Sequence, residues 1–383
     1  MSLFTDNSDN ITLTAENSTP DVDALTKPSE TVSSPLSRSS SEQDGDLMYP
    51  TPETIATVSP GATLTTYKMG GSTGVSGKEN QDACSVMTIN RNGIKYRIAT
   101  VCDGHGLYGQ KFANHAVSML PQLVVKNFAQ VLAEPVSTLK SLFEQVSSSL
   151  EKDMSNKAGG TTATICIFSP GKLICANISD CEALIKLDVP AESISVTRND
   201  AVVPAEISNG VIRATVNHNW TNMDEVKRVL NAGASIKYAT QARGARELDV
   251  FKRVVNADGN ETLVQVPHSK QTGGYISNMS REPAVYIRGE YETSINMTRT
   301  LGNWDATFVS REPDVTVITW KPDARARLLV ASDGYFNCLS RKQQELEMSF
   351  DLRPDEICSR GHEAVGKTFG HKYADNTTIV VLE

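Results

Sequence analysis

The sequence lacks several features that would each place it in a particular class of protein. It has no excess of basic residues: 45 Asp and Glu against 37 Lys and Arg give a formal net charge of −8. Nucleic-acid-binding domains usually carry a basic patch, so this balance argues against a nucleic-acid partner. No apolar run in the chain approaches the length of about 18 residues that suggests a membrane span, which argues against a membrane protein.

The sequence also lacks the patterns typical of secreted and zinc-binding proteins. Its N-terminus has neither the basic region nor the apolar region of a signal peptide. None of its seven cysteines forms a Cys-x-x-Cys pair, and several, such as Cys166 and Cys175, lie within apolar runs. An odd number of cysteines without zinc spacing indicates small buried thiols in a reducing compartment. We therefore expect a cytoplasmic location, a nuclear one, or both.

Large apolar residues are sparse in residues 1–54, where Ser, Thr, Pro, Asp and Asn dominate. Such a segment buries too little surface to offset the entropy cost of ordering it, so we predict a disordered N-terminal tail. Ser34 and the run 39–41 are plausible kinase targets, and the alternative is a plain solvated tail. The folded domain is predicted to span residues 55–383.

The remaining sequence alternates short apolar runs with amphipathic blocks. Strands are predicted at residues 96–102, 173–178, 328–331 and 378–382, and a further apolar run lies at 183–185. Helices are predicted after Tyr108, after Pro135, at 223–232, after Ser340 and at about 354–368. Many strands with helix pairs between them indicate an α+β domain in which helices pack on antiparallel sheets.

The sequence also offers signals for helix ends and for an insertion. Thr221 is predicted to cap the helix at 223–232 and Gly233 to end it, and Ser340 with Gln343 forms a predicted capping box. Residues 237 to about 287 are polar and interrupted by glycine, which predicts an irregular insertion. It is either a functional flap or a tolerated surface loop.

Four acidic positions border predicted strands. Asp103 and Asp333 each follow a buried strand and are each followed by glycine, and Asp375 and Asp82 each lie just before one. Buried carboxylates are costly unless they are paired or bound to metal, and several at neighbouring strand ends would repel each other without a cation. Hard oxygen ligands of this kind suit Mg²⁺ or Mn²⁺, and two such ions can activate water and hold a phosphoryl group.

The order of the motifs resembles that of the metal-dependent serine/threonine protein phosphatases of type 2C. The resemblance runs from about residue 67 to residue 383. The motifs are, in order, GKENQDA at 77–83, VCDGHG at 101–106, GGTTA at 159–163, ANISDC at 176–181, Glu225 with Arg228, TRTLG at 298–302, EPDV at 312–315, ASDG at 331–334 and ADNT at 374–377. One such motif could arise by chance, but this many in family order are specific.

This resemblance implies a four-layer αββα sandwich with a two-metal centre in a cleft at one end. Asp103 would bridge two Mg²⁺ or Mn²⁺ ions, and the carbonyl group of Gly104 would contact one of them. Asp333 and Asp375 would hold the other ion, and Asp82 would act at or just behind the ligands. The resemblance implies a monomer that hydrolyses phosphoserine and phosphothreonine in phosphorylated proteins.

The resemblance also implies roles for two further side chains. His105 would protonate the leaving serine or threonine oxygen, and the alternative for it is a structural turn histidine. Many family members have an arginine that grips the substrate phosphate where this chain has Gly77. The adjacent Lys78 is therefore our candidate phosphate ligand, although an ammonium group is a point charge and not a planar fork.

Other positions depart from the family pattern and keep a second hypothesis open. Gln81 replaces a frequent glutamate, and Asn337 and Asn303 stand where aspartates are common. With Asp180 retained, a weak third metal ion is a further expectation, and His218 is predicted to be structural. These changes suggest a pseudophosphatase, a binding module that recognises phosphoproteins without turnover. The joint presence of Asp103, His105, Asp333 and Asp375 favours the active enzyme.

Overall fold

A computed structural model describes residues 10–13, 62–67, 80–155, 158–238, 248–256, 258–266, 285–288, 294–369 and 376–383. The predicted phosphate ligand Lys78, the neighbouring Gly77 and the predicted metal ligand Asp375 lie outside these residues. So does most of the predicted tail.

Seven helices are present in the described part of the chain, together with a short 3₁₀ turn at Ala191–Ser193. The helices are α1 (Gly109–Lys126), α2 (Phe128–Ala133), α3 (Pro135–Met154), α4 (Met223–Asn231), α5 (Asp333–Phe336), α6 (Arg341–Glu347) and α7 (Pro354–Phe369).

The strands are β1 (Asn10–Leu13), β2 (Ala62–Tyr67), β3 (Asp82–Arg91), β4 (Ile94–His105), β5 (Gly160–Thr161), β6 (Ala163–Ser169), β7 (Lys172–Ile178), β8 (Glu182–Leu187), β9 (Ser195–Arg198), β10 (Ala201–Val202), β11 (Ile207–Ser208), β12 (Val211–Arg213), β13 (Ser235–Tyr238), β14 (Leu248–Asp249), β15 (Phe251–Val255), β16 (Glu261–Gln265), β17 (Val285–Arg288), β18 (Ser294–Ile295), β19 (Leu301–Gly302), β20 (Asp314–Thr319), β21 (Ala326–Ala331) and β22 (Thr377–Leu382).

Two large antiparallel sheets form the centre of the fold. The first has the order β1-β2-β22-β21-β8-β12-β11, and the second has the order β10-β9-β20-β7-β6-β4-β5-β19, with β3 also paired to β4. Residues along β21 show that the first sheet packs against apolar side chains on both of its faces. Leu328 and Val330 pack into the core between the sheets, whereas Leu329 and Ala331 pack towards α5 and α7. Alternate side chains of a strand point to opposite faces, so each sheet separates two apolar layers.

Helices cover the outer face of each sheet. Apolar residues of α1 and α3, among them Phe112 and Leu142, pack on the second sheet, and Tyr335 of α5 and Ile357 of α7 pack on the first. The result is an α+β sandwich of four layers, which confirms the predicted fold class. Six of the seven cysteines are buried and the seventh, Cys338, is half-buried, as predicted.

The predicted helices are confirmed, but one predicted cap is wrong. The N-cap of α4 is Asn222, whose side chain accepts hydrogen bonds from the backbone nitrogens of Asp224 and Glu225. Thr221 lies one position before this N-cap, and its hydroxyl group donates to the side chain of Asn219. The capping box of Ser340 and Gln343 at the start of α6 is confirmed.

The described parts of the predicted insertion are not irregular, so that prediction was wrong for them. Strands β14, β13, β17 and β18 form a small antiparallel sheet, and β15 pairs with β16. Buried residues of this region, including Tyr238 and Ile287, pack with α4 in a separate apolar cluster. The apolar residues alternate over runs of only four or five residues, which are too short to stand out against the polar sequence around them.

Four residues of the predicted tail are also structured. Asn10–Leu13 (β1) pairs antiparallel with Ala62–Tyr67 (β2) at the edge of the first sheet. An edge strand is held by backbone hydrogen bonds and needs no large apolar side chains, so composition alone did not reveal it. Within the described residues, no helix is long and apolar enough to cross a membrane.

Candidate metal centre and catalytic site

Two of the predicted carboxylates lie opposite each other on adjacent strands. Asp82 begins β3 and pairs in register with Asp103 near the end of β4. Residues directly opposite in an antiparallel pair have their Cβ atoms about 5 Å apart, and like charges at such positions repel. Asp82 is 2% exposed, so water screens this repulsion poorly. The pair is therefore a place where a cation would stabilise the fold.

The negative charge of this region also affects two neighbouring thiols. Burial raises the pKa of the Cys181 thiol well above its ordinary value, and the charges of Asp103, Asp180 and Asp82 raise it further. Burial and the same Asp103 and Asp82 charges raise the pKa of Cys102. These thiols therefore stay protonated in the metal-free protein.

Hydrogen bonds bring two further segments, at Ser332 and at Asn376, to this end of the sandwich. The Ser332 hydroxyl group donates to Asp82 Oδ2 at 2.8 Å and accepts from the Thr378 nitrogen at 2.9 Å. Ser332 immediately precedes Asp333, the first residue of α5. The backbone nitrogen of Gln81 donates to Asn376 Oδ1 at 3.1 Å, and Asn376 immediately follows Asp375 in the chain. The strand ends of both sheets thus meet beside Asp82.

Gly104 occupies a position with no room for a side chain. Its nitrogen donates to the carbonyl oxygen of Gln81 at 3.0 Å. A Cβ atom at Gly104 would collide with the Gly109 carbonyl group and would lie 2.8 Å from the Gln81 carbonyl oxygen. Because these obstacles are backbone atoms, which cannot rotate away, glycine is required at this position near the end of β4.

The donor atoms at this end suit a hard divalent cation. Asp82, Asp103 and Asp333 offer carboxylate oxygens and Gly104 offers a carbonyl oxygen, which are the ligands that Mg²⁺ and Mn²⁺ prefer. Among the residues that the structure describes, no three His, Cys, Asp or Glu side chains form a complete metal site by themselves. The predicted set of ligands also includes Asp375, which lies outside those residues.

His105 lies next to these residues and lines a cleft of about 440 Å³. Its Nε2 atom is 2.7 Å from Asn303 Oδ1. Its Nδ1 atom is buried and has no hydrogen-bond partner among the described residues. Burial lowers the pKa of His105, and the hydrogen bond with Asn303 acts in the opposite direction. Val285, which falls within the predicted insertion, also lines the cleft.

Two positions that depart from the family pattern make internal hydrogen bonds. Gln81 Nε2 donates to the Gly106 carbonyl oxygen at 2.7 Å, so this side chain holds the turn around His105. Asn337 Nδ2 donates to Asp333 Oδ2 at 2.9 Å. The sequence marked these residues as departures. The partner of Gln81 is 25 residues away and is set by how the strand ends pack, whereas Asn337 contacts a residue one helical turn earlier, at the end of α5.

A buried ion-pair network supports the strand ends behind the site. Glu225 receives hydrogen bonds from Arg299 and Arg228, both at 2.7 Å. Burial acts to raise the pKa of Glu225, but these two guanidinium groups outweigh it and lower the pKa to about 2. Arg299 also reaches Asp314 at 3.4 Å, so the network continues to β20.

His218 is structural in this arrangement, as predicted. Its Nδ1 atom accepts from the backbone nitrogen of Ser179 at 2.9 Å, and its Nε2 atom is 2.9 Å from Asp314 Oδ2. Ser179 has a φ angle of +81°, an uncommon conformation for a residue with a side chain. The histidine therefore fixes the turn that carries Asp180.

Comparison with known proteins defines the class of this molecule. The family model described as "Protein phosphatase 2C" matches residues 77–345, which is more than half of the chain. The chain belongs to the protein phosphatase 2C family. Comparison with curated protein sequences gave no match.

Solved structures share the fold at low sequence identity. A serine-threonine phosphatase 2C from Toxoplasma gondii is 15% identical, with 84% of this chain and 95% of that chain covered and a TM-score of 0.55. A C. elegans sex determining protein is 16% identical, with 87% of this chain and 67% of that chain covered and a TM-score of 0.51.

Proposed function

We propose that the protein hydrolyses phosphoserine and phosphothreonine in phosphorylated proteins with the help of two divalent ions, Mg²⁺ or Mn²⁺. The observation that carries the proposal is the pairing of Asp82 with Asp103 next to the turns at 332–333 and 376. Two mutually repelling carboxylates at the meeting point of both sheets are costly for folding alone. Their cost is explained if they hold cations for catalysis.

In the proposed site, Asp103 would hold both ions, the Gly104 carbonyl oxygen would contact one of them, and Asp333 and Asp375 would hold the other. Asp82 would act at or just behind these ligands. When bound, the ions supply an activated water and neutralise charge on the phosphoryl group. Members of the family generally depend on Mg²⁺ or Mn²⁺, which agrees with this set of oxygen atoms.

Two side chains of the protein would act on the substrate itself. Lys78 would contact the phosphate group, and His105 would give a proton to the serine or threonine oxygen as it leaves. The position of His105 supports this role, because its side chain lines the cleft and it lies two residues after Asp103 at the end of β4. We propose that the protein acts as a monomer in the cytoplasm, the nucleus or both.

The second candidate function is that of a pseudophosphatase, which binds phosphoproteins without turnover. Gln81 and Asn337 favour it, because their amides replace negative charge near the metal centre and make internal hydrogen bonds. Retention of Asp103, His105, Asp333 and Asp375 favours the enzyme, since a binding module would not need all four.

Turnover on two substrates distinguishes these functions. Protein stripped of metal with a chelator should hydrolyse neither a phosphothreonine peptide nor an aryl phosphate, and added Mn²⁺ or Mg²⁺ should restore both activities. His105→Ala should lose more activity on the peptide than on the aryl phosphate, whose leaving group needs little protonation. Binding of metal and phosphopeptide without any turnover would instead establish the pseudophosphatase.

A further inference from the structure

Asn303, which the proposed mechanism does not use, is held rigidly against His105. It follows Gly302 and adopts a left-handed conformation with a φ angle of +47°. Its backbone nitrogen donates to the Gly159 carbonyl oxygen at 3.0 Å, and its own carbonyl oxygen accepts from Arg311 at 3.3 Å. The backbone of Asn303 is therefore fixed from both sides, and its side chain projects from a defined point.

The short strand β5 places Asn303 beside the histidine. Gly160 of β5 pairs with His105 of β4 on one side and with Gly302 of β19 on the other. A Cβ atom at Gly160 would lie 2.6 Å from Asn303 Oδ1 and 2.8 Å from the Thr300 hydroxyl oxygen. The missing side chain at Gly160 thus leaves the space through which the Asn303 amide reaches His105.

The hydrogen bond sets which ring nitrogen of His105 carries a proton. Asn303 Oδ1 lies 2.7 Å from Nε2, and an amide oxygen can only accept, so Nε2 must donate. Nδ1 is buried and bonds to no other described residue. If the amide were reversed, the proton would lie on Nδ1 as a buried donor with no acceptor among the described residues, which is unfavourable. The reversed arrangement is therefore disfavoured.

We propose that Asn303 is a positioning residue that fixes the Nε2–H tautomer of His105. While this bond persists, the neutral ring carries its proton on Nε2 and not on Nδ1. The catalytic role of this tautomer rests on the proposed function, but the assignment of the tautomer does not depend on that function.

The Asn303 amide differs in charge from the aspartate that is common at this position in the family. Both groups present an oxygen to Nε2–H, but the amide adds no negative charge next to the ring. The Asn303 oxygen is also engaged by His105, so in this chain the position serves the histidine and not a third metal ion.

The test is a measurement of the tautomer in the metal-free protein. Protein labelled with ¹⁵N-histidine is studied by two-bond ¹H–¹⁵N correlation spectra, and His105 is assigned by the signal lost in His105→Gln. We expect the Nε2–H pattern in the wild type. Asn303→Gly removes the acceptor without straining the left-handed backbone, and should give a mixture of tautomers. Asn303→Asp retains the acceptor and should keep the Nε2–H pattern.

A matched control separates the hydrogen bond from the effect of an added glycine. Asn92 has a φ angle of +51° in the hairpin turn between β3 and β4, and Asn92→Gly should leave the His105 spectrum unchanged. An Nδ1–H tautomer in the wild type, or an unchanged spectrum in Asn303→Gly, would overturn the proposal.

The kinetic consequence is measured separately. Asn303→Gly should reduce kcat about tenfold on a phosphothreonine peptide and less on an aryl phosphate, with KM nearly unchanged. If the wild type shows the predicted tautomer but no turnover on any phosphoester, the structural assignment stands and the proposed function fails. Equal losses on both substrates would contradict a role in positioning the proton donor.

Discussion

At the scale of single residues, the carboxylates could be predicted and their partners could not. Asp82, Asp103 and Asp333 stand out in the sequence because each borders an apolar run that becomes a buried strand. The hydrogen bonds of the Gln81 and Asn303 amides depend on which strand ends meet, and this is decided by long-range packing. Local sequence carries no signal for such contacts.

One residue-scale prediction concerns Lys78, the cation nearest to the missing phosphate-gripping arginine. Lys78→Ala should raise KM for a phosphothreonine peptide about fivefold and leave kcat nearly unchanged, since one exposed charged contact is worth on the order of 1 kcal/mol. Lys78→Arg, which keeps the charge, should remain close to the wild type. Steady-state kinetics that show no change in either parameter for Lys78→Ala would place this side chain at the solvated surface.

At the scale of secondary-structure elements, strands with strong apolar runs were predicted, and short strands were missed. The run at 328–331 becomes part of β21, whose every residue from 327 is buried. Strand β5 has only two residues and β19 also has two, and neither is long enough to show a period. Yet these two strands place Asn303 beside His105. The part of the fold nearest to the proposed catalytic histidine is therefore the part that the sequence predicts least well.

The ion-pair network between α4 and β20 gives a prediction at this scale. The pKa of Glu225 is lowered to about 2 from an ordinary value of 4.5, so its charge stabilises the folded state above pH 4.5. This contribution is lost as the pH falls from 4.5 towards 2, because the unfolded chain then binds a proton more readily than the folded one. A shift of this size corresponds to about 3 kcal/mol.

The variant Glu225→Gln tests this contribution. Its free energy of unfolding at pH 7 should fall by about 3 kcal/mol, and the difference from the wild type should shrink between pH 4.5 and pH 2. Denaturant unfolding at several pH values measures both effects. Glu363→Gln, at an exposed pair with Lys367, is the matched control and should behave as the wild type does. A pH-independent difference would show that Glu225 acts through packing and not through its charge.

At the scale of the whole molecule, the four-layer sandwich was predicted from the order of the motifs and from the alternation of strands and helices. The apolar faces of the two sheets and the helices that cover them agree with this prediction. The small sheet around β13 and the edge strand β1 were not predicted. Both lie in polar sequence, where backbone pairing adds structure that composition does not reveal.

Deletion of residues 1–54 tests the role of the N-terminal segment in the whole molecule. This change removes β1 and leaves β2 as the edge of the first sheet. Strand β1 contributes only four paired residues, and it lies at the edge of the first sheet. We therefore expect a small decrease in melting temperature and unchanged turnover on an aryl phosphate. Loss of cooperative unfolding would instead mean that the segment is part of the folded core.

The most direct test of the account is a Mn²⁺ titration of metal-free protein by calorimetry, with turnover on a phosphothreonine peptide measured on the same sample. Wild-type protein should bind two ions, and activity should rise as they bind. Asp103→Asn keeps the shape of the shared ligand but removes its negative charge, and should bind Mn²⁺ weakly and lose more than about a hundredfold in kcat. Full activity without bound metal, or unchanged Mn²⁺ binding and turnover in Asp103→Asn, would contradict the two-metal centre.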